Sequence, residues 1–447
     1  MTHPTSSRRR FLQQSAASLL SAPFVTSGMR AASPNGKLRH ACFGASGMSW
    51  SDINSMSAHP NWELVAACDV DTRNFARLKE KFGPQVRCYQ DWRELLTQEA
   101  GKIDSVNVSI PDHMHGSVGF NALTRGLHVY GQKPLTQNLH ECRAVTEKAR
   151  ATGLMTQMGI QVSSDFTERF AVEMVHSGVI GKVKEVHTFS NKAWGDMTPL
   201  PDKADPIPDG FDWSKWLGVS EDRPFIAGAY HPGNWRKRRD FGTGTLGDMG
   251  CHMFSGWFRA LALTSPISVK STGPAPINKD NWATDGQVEY IFPGTQYCAD
   301  KTVKVTWYDG KKMPPADVVA LLGDTKWPGQ GSLYIGTDGV LLHPHGGTPT
   351  LHPREKFKDF RYPKLEPRNH WKDFIDCCIA GDKNKKPSAN FDYAGPLTEA
   401  VLLGCLASIF PNQVLEWNAE KMTFNNSEDA TKFVKRSYRK GWEVAGF

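Results

Sequence analysis

Short apolar runs alternate with amphipathic segments between residues 38 and 158, and this alternation constrains the fold more than any other feature. The runs typical of buried strands are residues 38–43, 64–68, 104–110, 128–130 and 154–158. The segments with helical spacing between them are residues 48–57, 72–82, 117–125 and 139–152. Strands separated by helices of this length pair in parallel, with helices on both faces of the sheet. We therefore expect an α/β fold that begins with a doubly wound parallel sheet.

The turn after the first predicted strand is rich in small residues and runs from Gly44 through Ala45 to Ser49. In a doubly wound sheet a dinucleotide pyrophosphate lies at this turn, because glycines let the backbone approach and the next helix N-terminus supplies N–H donors. The usual fingerprint is G-x-G-x-x-G, and here serines occupy the second and third glycine positions. A glycine-rich turn without a ligand would look similar. The residues expected to contact the nucleotide are Gly44, Ser46, Gly47 and Met48.

Asp69, at the end of the second predicted strand, strengthens the nucleotide-binding interpretation. It follows Gly44 at a distance close to the spacing of about 20 residues at which a carboxylate binds the adenosine ribose hydroxyls. A carboxylate there repels a 2′-phosphate, so the sequence favours NAD over NADP, although the nearby Arg73 keeps this preference moderate. We expect an NAD-binding Rossmann domain over residues 36–158.

Three motifs together resemble those of the Gfo/Idh/MocA family of oxidoreductases, and the resemblance covers essentially everything after residue 35. The first is the glycine turn with Asp69. The second is I-P-D-H-M-H at 110–115, similar to the family's P-x-x-x-H segment, followed by G-Q-K-P at 131–134, similar to its E-K-P segment. The third is G-D-M-G-C-H at 247–252, similar to its D-x-G-x-H segment. Their order matches the family, but Gln132 stands where the family usually has glutamate.

The resemblance implies roles for three side chains in hydride transfer from a carbinol carbon. Lys133 would hydrogen-bond the reacting oxygen, His252 would accept or relay the hydroxyl proton, and Asp248 would bind the substrate or orient the base. Because Asp248 and His252 are four residues apart, a helix would place them on one face. The alternatives are a surface lysine before a proline, and an aspartate that caps a helix beside a packed histidine.

The same resemblance places Pro111, His115, Gln132 and Lys133 beside the cofactor, with His115 near the nicotinamide. Gln132 can hydrogen-bond but carries no charge, so its influence on Lys133 differs from that of a glutamate. His113 is expected to be incidental. Although H-x-H can bind a metal, no carboxylate or third histidine stands at ligand spacing, and we expect no metal site.

The pattern changes after residue 158, and a second domain for substrate binding and oligomerisation is expected over residues 159–447. Further strand-like runs are residues 183–189, 287–292, 303–307 and 332–335. They predict an α+β domain with an open, mostly antiparallel sheet and helices on one face, an architecture that the resemblance also implies. Helical segments at 370–379 and 396–409 are expected to pack back onto the first domain.

An insertion at residues 194–239 is rich in tryptophan, proline and aspartate, and a loop of this length is typical of a functional lid. Its aromatic rings could stack on sugar C–H surfaces, or they could form a small satellite core. The residues expected to reach a substrate are His231, Asn234, Trp235 and Arg236.

The first 35 residues are predicted to be a targeting segment. Ser7-Arg8-Arg9-Arg10-Phe11-Leu12-Gln13 resembles the twin-arginine export signal, and residues 15–25 are too short and too polar for a stable membrane anchor. Export of a folded protein with its cofactor would suit a nucleotide enzyme in the periplasm, where free NAD is scarce. None of the nine cysteines forms a C-x-x-C pair, and we expect buried free thiols. Export of a folded chain would explain the lack of a disulfide framework, because such a chain folds in a reducing compartment.

Taken together, these features predict an NAD-dependent oxidoreductase that acts on a hydroxyl of a sugar, glycoside or polyol. One alternative is an NAD-dependent glycosidase that uses transient oxidation and elimination, and another is a nucleotide-binding protein without turnover. Part of the net charge of +7 lies in the first ten residues and the rest is dispersed. No nucleic-acid motif is present, so the expected partner is a small carbohydrate rather than nucleic acid. We also expect a homo-oligomer.

Overall fold

The computed structural model of the protein describes residues 36–447, so the expected targeting segment at residues 1–35 lies outside the described residues. The first sheet has six parallel strands in the order β3-β2-β1-β4-β5-β6. They are β1 (Leu38–Phe43), β2 (Trp62–Cys68), β3 (Arg87–Tyr89), β4 (Ser105–Val108), β5 (His128–Gly131) and β6 (Thr156–Met158). The connecting helices are α1 (Gly47–Met56), α2 (Phe75–Phe82), α3 (Trp92–Gln98), α4 (His115–Thr124) and α5 (Leu139–Thr152). The strand order reverses between β1 and β4, where the carboxyl ends of the strands open a ligand crevice in folds of this type. The predicted doubly wound parallel sheet is confirmed.

Local signals account for the elements that the sequence predicts well. Helix α5 has the predicted bounds, because Asn138 caps its start and Gly153, with a φ of 65°, ends it in the left-handed conformation. The sequence does not predict β3 or α3, since a three-residue strand with partly exposed side chains carries no apolar run.

A second sheet of nine strands follows, in the order β13-β12-β11-β7-β10-β9-β8-β14-β15. Its strands are β7 (Val183–Ser190), β8 (Ser268–Ser271), β9 (Gln287–Pro293), β10 (Thr302–Asp309), β11 (Gln330–Gly336), β12 (Val340–Pro344), β13 (Thr350–His352), β14 (Val414–Asn418) and β15 (Thr423–Phe424). All neighbours are antiparallel except β7 and β10. The expected open, mostly antiparallel sheet is confirmed.

The second part of the chain contributes further helices, which lie on both faces of this sheet or beside it, rather than on the single face that the sequence predicts. They are α6 (Phe166–His176), α7 (Trp213–Leu217), α8 (Gly244–Ala260), α9 (Ala316–Ala320), α10 (His370–Ala380), α11 (Phe391–Ala407) and α12 (Glu428–Lys432). Helix α8 packs between the sheet and α11, and nearly all of its residues are buried. As predicted, the tail packs back onto the first domain, with α10 against α1 and β1, and α11 against α5.

The insertion at 194–239 forms its own aromatic cluster. Trp213 and Trp216 are buried and stacked, with ring centroids 4.9 Å apart, and Phe211, Tyr230 and Trp235 pack around them. For these rings the satellite core, one of the two expected alternatives, is what the structure shows. No helix in residues 36–447 combines the length and apolar character needed to cross a bilayer.

Candidate active site

The glycine turn between β1 and α1 is closed by contacts that leave no room for a side chain. Gly44 has a φ of 91°, and a Cβ there would lie 2.7 Å from the carbonyl oxygen of Ser109. The hydroxyl of Ser49, at the third glycine position of the fingerprint, donates to the carbonyl of Gly44 over 2.6 Å. This serine therefore holds the turn together from inside the fold.

The start of helix α1 faces outward beside this turn. Ser46, Gly47 and Met48 are exposed, and a Cβ on Gly47 would meet no atom within 4 Å. The N–H groups of a first helical turn have no partner inside the helix, and the helix dipole adds partial positive charge. An exposed start with open space and no acidic residue in its first turn fits a nucleotide pyrophosphate.

Asp69 fixes the glycine turn to the end of β2. Its carboxylate accepts hydrogen bonds from the backbone N–H of Ala45 (2.8 Å) and Asp71 (2.9 Å), and from the Asn74 amide (3.1 Å). Burial raises the pKa of Asp69, and the hydrogen bonds to the ionised form oppose this shift. Arg73, which could receive a 2′-phosphate, instead forms a bidentate pair with Asp71 at 2.7 and 2.6 Å. Both arrangements suit NAD better than NADP.

Three charged side chains converge at the carboxyl end of β5. The ammonium of Lys133 donates to the backbone carbonyl of Asp248 over 2.8 Å and to its Oδ1 over 3.0 Å. The Nε of Arg236 donates to the same Oδ1 over 2.9 Å. Although burial opposes ionisation, the two cations hold the pKa of Asp248 below its ordinary value. Since an ammonium has three N–H donors, one donor of Lys133 is left for a ligand.

His252 lies one helical turn after Asp248 on α8. The helix begins at Gly244, so Asp248 does not act as its cap. The ring of His252 lies 5.7 Å from the ring of His345, and its buried Nδ1 has no hydrogen-bond partner among residues 36–447. Burial, with further contributions from Lys133 and His345, lowers the pKa of His252. A neutral imidazole in this place can accept a proton.

Two further titratable groups lie at this cluster, and the sequence analysis did not predict them. Asp112 is buried and accepts a hydrogen bond from Thr243 over 2.8 Å, and burial raises its pKa to about 7 against the charges of Arg236 and Lys133. It stands inside the motif at 110–115, so its position offered a signal. His345 directly follows strand β12, and the local sequence there gives no indication that it meets α8.

His115 and Pro111 lie where two strand-end loops meet. The ring nitrogens of His115 contact the carbonyl oxygens of Pro134 (2.7 Å) and Ile110 (2.6 Å), and burial lowers its pKa to about 4. This histidine therefore joins the loop after β4, where Pro111 is half-buried, to the loop that carries Lys133. His113 is buried against Trp216 and serves the contact with the insertion.

Gln132 is buried beneath Lys133. Its Nε2 donates to Asp52 on α1 over 2.9 Å, and its Oε1 accepts from the backbone N–H of Lys133 over 3.2 Å. The neutral side chain of Gln132 thus bridges the loop that carries Lys133 and a buried carboxylate that was not predicted from the sequence.

The four loop residues expected to reach a substrate separate in the structure. Arg236 joins the charged cluster, with its guanidinium 4.2 Å from the ring of Trp235. Asn234 donates to Gly228 and Trp235 to Pro232, so both support the loop itself. His231 packs on Phe211, on the side of Asp71 and Arg73. In the part of the chain that the structure describes, no group of three or more possible metal ligands occurs.

Comparison with known proteins agrees with this geometry. The model of an oxidoreductase family with an NAD-binding Rossmann fold, GFO_IDH_MocA, matches residues 38–160. The chain is 34% identical over 129 residues to scyllo-inositol 2-dehydrogenase (NAD(+)) of Bacillus subtilis, which covers 29% of this chain and 37% of that protein. It is 26% identical over 152 residues to Glycosyl hydrolase family 109 protein 2 of Akkermansia muciniphila, which covers 33% and 32%. The chain thus spans less than half the length of these curated relatives.

The similarity to solved structures extends over both sheets. The WlbA dehydrogenase from Bordetella pertussis, in complex with NADH and UDP-GlcNAcA, superposes with a TM-score of 0.59 at 14% identity, over 86% of this chain and 99% of that one. At this identity the likeness shows the fold alone. Residues 38–160 of the chain thus match the NAD-binding Rossmann domain of the Gfo/Idh/MocA family of oxidoreductases.

Proposed function

We propose that the protein is an NAD-dependent oxidoreductase that transfers hydride between NAD and a CH–OH carbon of a sugar, glycoside or polyol. The observation that carries the proposal is the cluster of Lys133, Asp248 and His252 at the same sheet edge as the glycine turn. A nucleotide on that turn would reach this cluster along the carboxyl ends of the strands, where doubly wound folds bind their ligands.

Each residue of the cluster has a separate role in the proposed oxidation. When bound at the glycine turn, NAD would supply the acceptor for the hydride that leaves the carbinol carbon. The remaining N–H donor of Lys133 hydrogen-bonds the substrate oxygen and stabilises developing negative charge as the O–H bond breaks. The neutral ring of His252 accepts the hydroxyl proton, which leaves a carbonyl product and a protonated imidazole. Asp248 holds the ammonium of Lys133 in place.

Asp69 supports NAD rather than NADP as the cofactor. Its carboxylate lies at the end of β2, where the adenosine ribose is bound in this fold, and Arg73 is engaged by Asp71. Denaturing the purified protein and identifying the released nucleotide tests this point. NAD is expected, whereas a supernatant with mainly NADP would refute the role of Asp69.

An NAD-dependent glycosidase is the second candidate, favoured by the partial identity to the glycosyl hydrolase of Akkermansia muciniphila. Such an enzyme would oxidise a sugar transiently and eliminate the aglycone before the product is reduced again. Incubation of the NAD-loaded protein with hexoses, inositols and aryl glycosides distinguishes the two. A keto product with NADH supports the oxidoreductase, and a free aglycone without net NADH supports the glycosidase. Neither product from any compound would favour a nucleotide-binding protein without turnover.

We also propose export by the twin-arginine route to the periplasm, which the match at residues 7–13 supports. Replacement of Arg8 and Arg9 by lysine keeps the charge but removes the guanidinium groups, and should retain the precursor in the cytoplasm. Unchanged export of the double variant would refute the proposal.

We propose that the protein forms a homo-oligomer through the second sheet. Gln287, Glu289 and Ile291 of β9 are half-exposed, and they alternate with Tyr290, whose hydroxyl side faces Gly404 of α11. The side chains of Gln287, Glu289 and Ile291 therefore point away from α11. Light scattering of the purified protein tests the proposal, and a monomer at micromolar concentration would refute it.

A further inference from the structure

Asp52 of helix α1 is a completely buried carboxylate that the proposed mechanism does not use. Its Oδ2 accepts hydrogen bonds from Gln132 Nε2 (2.9 Å) and Ser109 Oγ (2.8 Å), and its Oδ1 accepts one from Trp371 Nε1 (3.0 Å). The three donors come from the loop after β5, the end of β4 and helix α10. One charged group therefore joins four segments that are distant in sequence.

One branch of this network ends at Lys133. Because the amide nitrogen of Gln132 donates to Asp52, its oxygen faces the backbone N–H of Lys133. Gly159 makes room for this amide, since a Cβ there would lie 2.6 Å from the Gln132 nitrogen. Asp52 thus fixes the orientation of the amide that holds the backbone of Lys133.

The other branch ends at the glycine turn. The Asn107 amide donates to Ser109 Oγ (2.8 Å) and to Ser49 Oγ (3.1 Å), and Ser49 donates in turn to the carbonyl of Gly44 (2.6 Å). Each N–H or O–H group in this branch is oriented by the one acceptor that it faces. The nucleotide turn and the catalytic lysine are therefore connected through a single buried charge.

The buried charge of this network lies on α1, and the side chain at position 132 is neutral. The motif at 131–134 resembles one that usually carries glutamate, and a glutamate at 132 would place two carboxylates about 3 Å apart, where both cannot ionise easily. We propose that Asp52 is a positioning residue that supplies from α1 the buried negative charge expected at position 132, and that it aligns Lys133 with the nucleotide turn. Burial raises the pKa of Asp52 to about 6, and its hydrogen bonds oppose that shift, so the carboxylate is mostly ionised at pH 7 and above.

This inference rests on the proposed oxidoreductase function, but its test does not depend on activity alone. Asp52→Asn and Gln132→Glu are each made singly, and then combined to exchange the carboxylate and the amide. Three quantities are measured: the NAD dissociation constant by fluorescence titration, the urea midpoint of unfolding, and the single-turnover rate of NAD reduction. Asp309→Asn is the matched control, because Asp309 is also buried and accepts from a tryptophan, Trp307, but lies in the second sheet.

Each single variant should weaken NAD binding and slow reduction by about tenfold, as expected for residues in one hydrogen-bond network. The double variant should return both values to within about threefold of the parent, which a merely structural loss would not do. Asp309→Asn should lower the urea midpoint and leave both values unchanged. Additive losses in the double variant would overturn the proposal.

Two further outcomes are decisive. If Asp52→Asn does not fold alone, a folded double variant with near-parental NAD affinity supports the exchange, and an unfolded one overturns it. If the parent reduces no NAD with any sugar, the proposed function fails, but NAD affinity and the urea midpoint still show whether the two positions compensate each other.

Discussion

The two sides of the candidate site are built in opposite ways. The nucleotide side uses one continuous stretch, from Gly44 to Asn74, and presents neutral N–H groups and an exposed helix start. The reaction side brings together Lys133, Arg236 and Asp248 with His252 of α8 and with His345, which follows β12. This side is charged and largely buried. The difference implies that changes on the first side alter nucleotide affinity, whereas changes on the second alter turnover with the nucleotide still bound.

Removal of the ammonium should give the largest effect. Lys133→Met keeps the bulk of the side chain but loses the donor to the substrate oxygen, and a positioned group of this kind contributes about 10²–10⁴-fold in rate. We expect single-turnover reduction of NAD to fall by that range while fluorescence titration shows unchanged NAD affinity. Lys79→Met on the exposed face of α2 is the control and should be silent. Loss of NAD affinity in Lys133→Met would mean that the two sides are not separable.

A substitution in the glycine turn should alter NAD affinity, which the substitution at Lys133 leaves unchanged. Both glycines have a positive φ, 91° at Gly44 and 53° at Gly47, which disfavours a side chain at either position. A methyl group at Gly44 would in addition meet the carbonyl of Ser109 at 2.7 Å, whereas one at Gly47 would meet open space. Gly44→Ala should weaken NAD binding by about 10–100-fold, given a strain of about 1–3 kcal/mol. Gly47→Ala should weaken it far less. Equal losses in the two variants, measured by titration with NAD, would show that the turn tolerates a side chain.

The contrast between the two sides also explains what the sequence could predict. Gly44 and Asp69 follow directly from strand ends, because parallel strands place their carboxyl ends at one edge of the sheet. Lys133 and His252 were found by resemblance, and the structure brings them together. Asp52, His345 and the role of Arg236 depend on packing between distant segments, which no local pattern encodes.

Two residues of the insertion show a second limit of prediction from the sequence. Trp235 and Asn234 have the chemistry of sugar-binding side chains, yet their polar atoms bond to the backbone of their own loop. Composition indicates that a loop can bind a sugar, but only the tertiary contacts show which side chains remain free to do so.

Cofactor choice should change moderately when Asp69 is altered. Asp69→Ser removes the negative charge near the expected ribose, and the loss of a charge-assisted hydrogen bond of about 1.5–3 kcal/mol should weaken NAD binding by about tenfold or more. NADP binding should weaken less, so the preference for NAD should decrease. Adding Asp71→Asn frees Arg73 and should shift the preference further toward NADP. An unchanged ratio of the two dissociation constants would contradict the role of Asp69.

A further effect concerns stability rather than binding or turnover, and it depends on pH through Asp112. Because its pKa is raised to about 7 in the fold, the protonated carboxyl stabilises the folded state below about pH 4, and this contribution is lost as pH rises to about 7. The groups that face it are Arg236, Lys133, Asp248 and Thr243. Asp112→Asn has no such titration. The difference in unfolding free energy between parent and variant should therefore fall between pH 4 and 7, in urea titrations at each pH. A difference that is constant across this range would contradict the burial argument.

The most direct test follows the hydrogen itself. NAD-loaded parent and Lys133→Met are mixed with myo-inositol or a hexose that is deuterated at every carbon, and the released nucleotide is examined by mass spectrometry and NMR. We expect deuterium at C4 of the nicotinamide in the parent, and an equal amount of bound but unlabelled NAD in Lys133→Met. Labelled nucleotide at the same rate in both proteins, or none in the parent with any sugar of the panel, would contradict hydride transfer at this site.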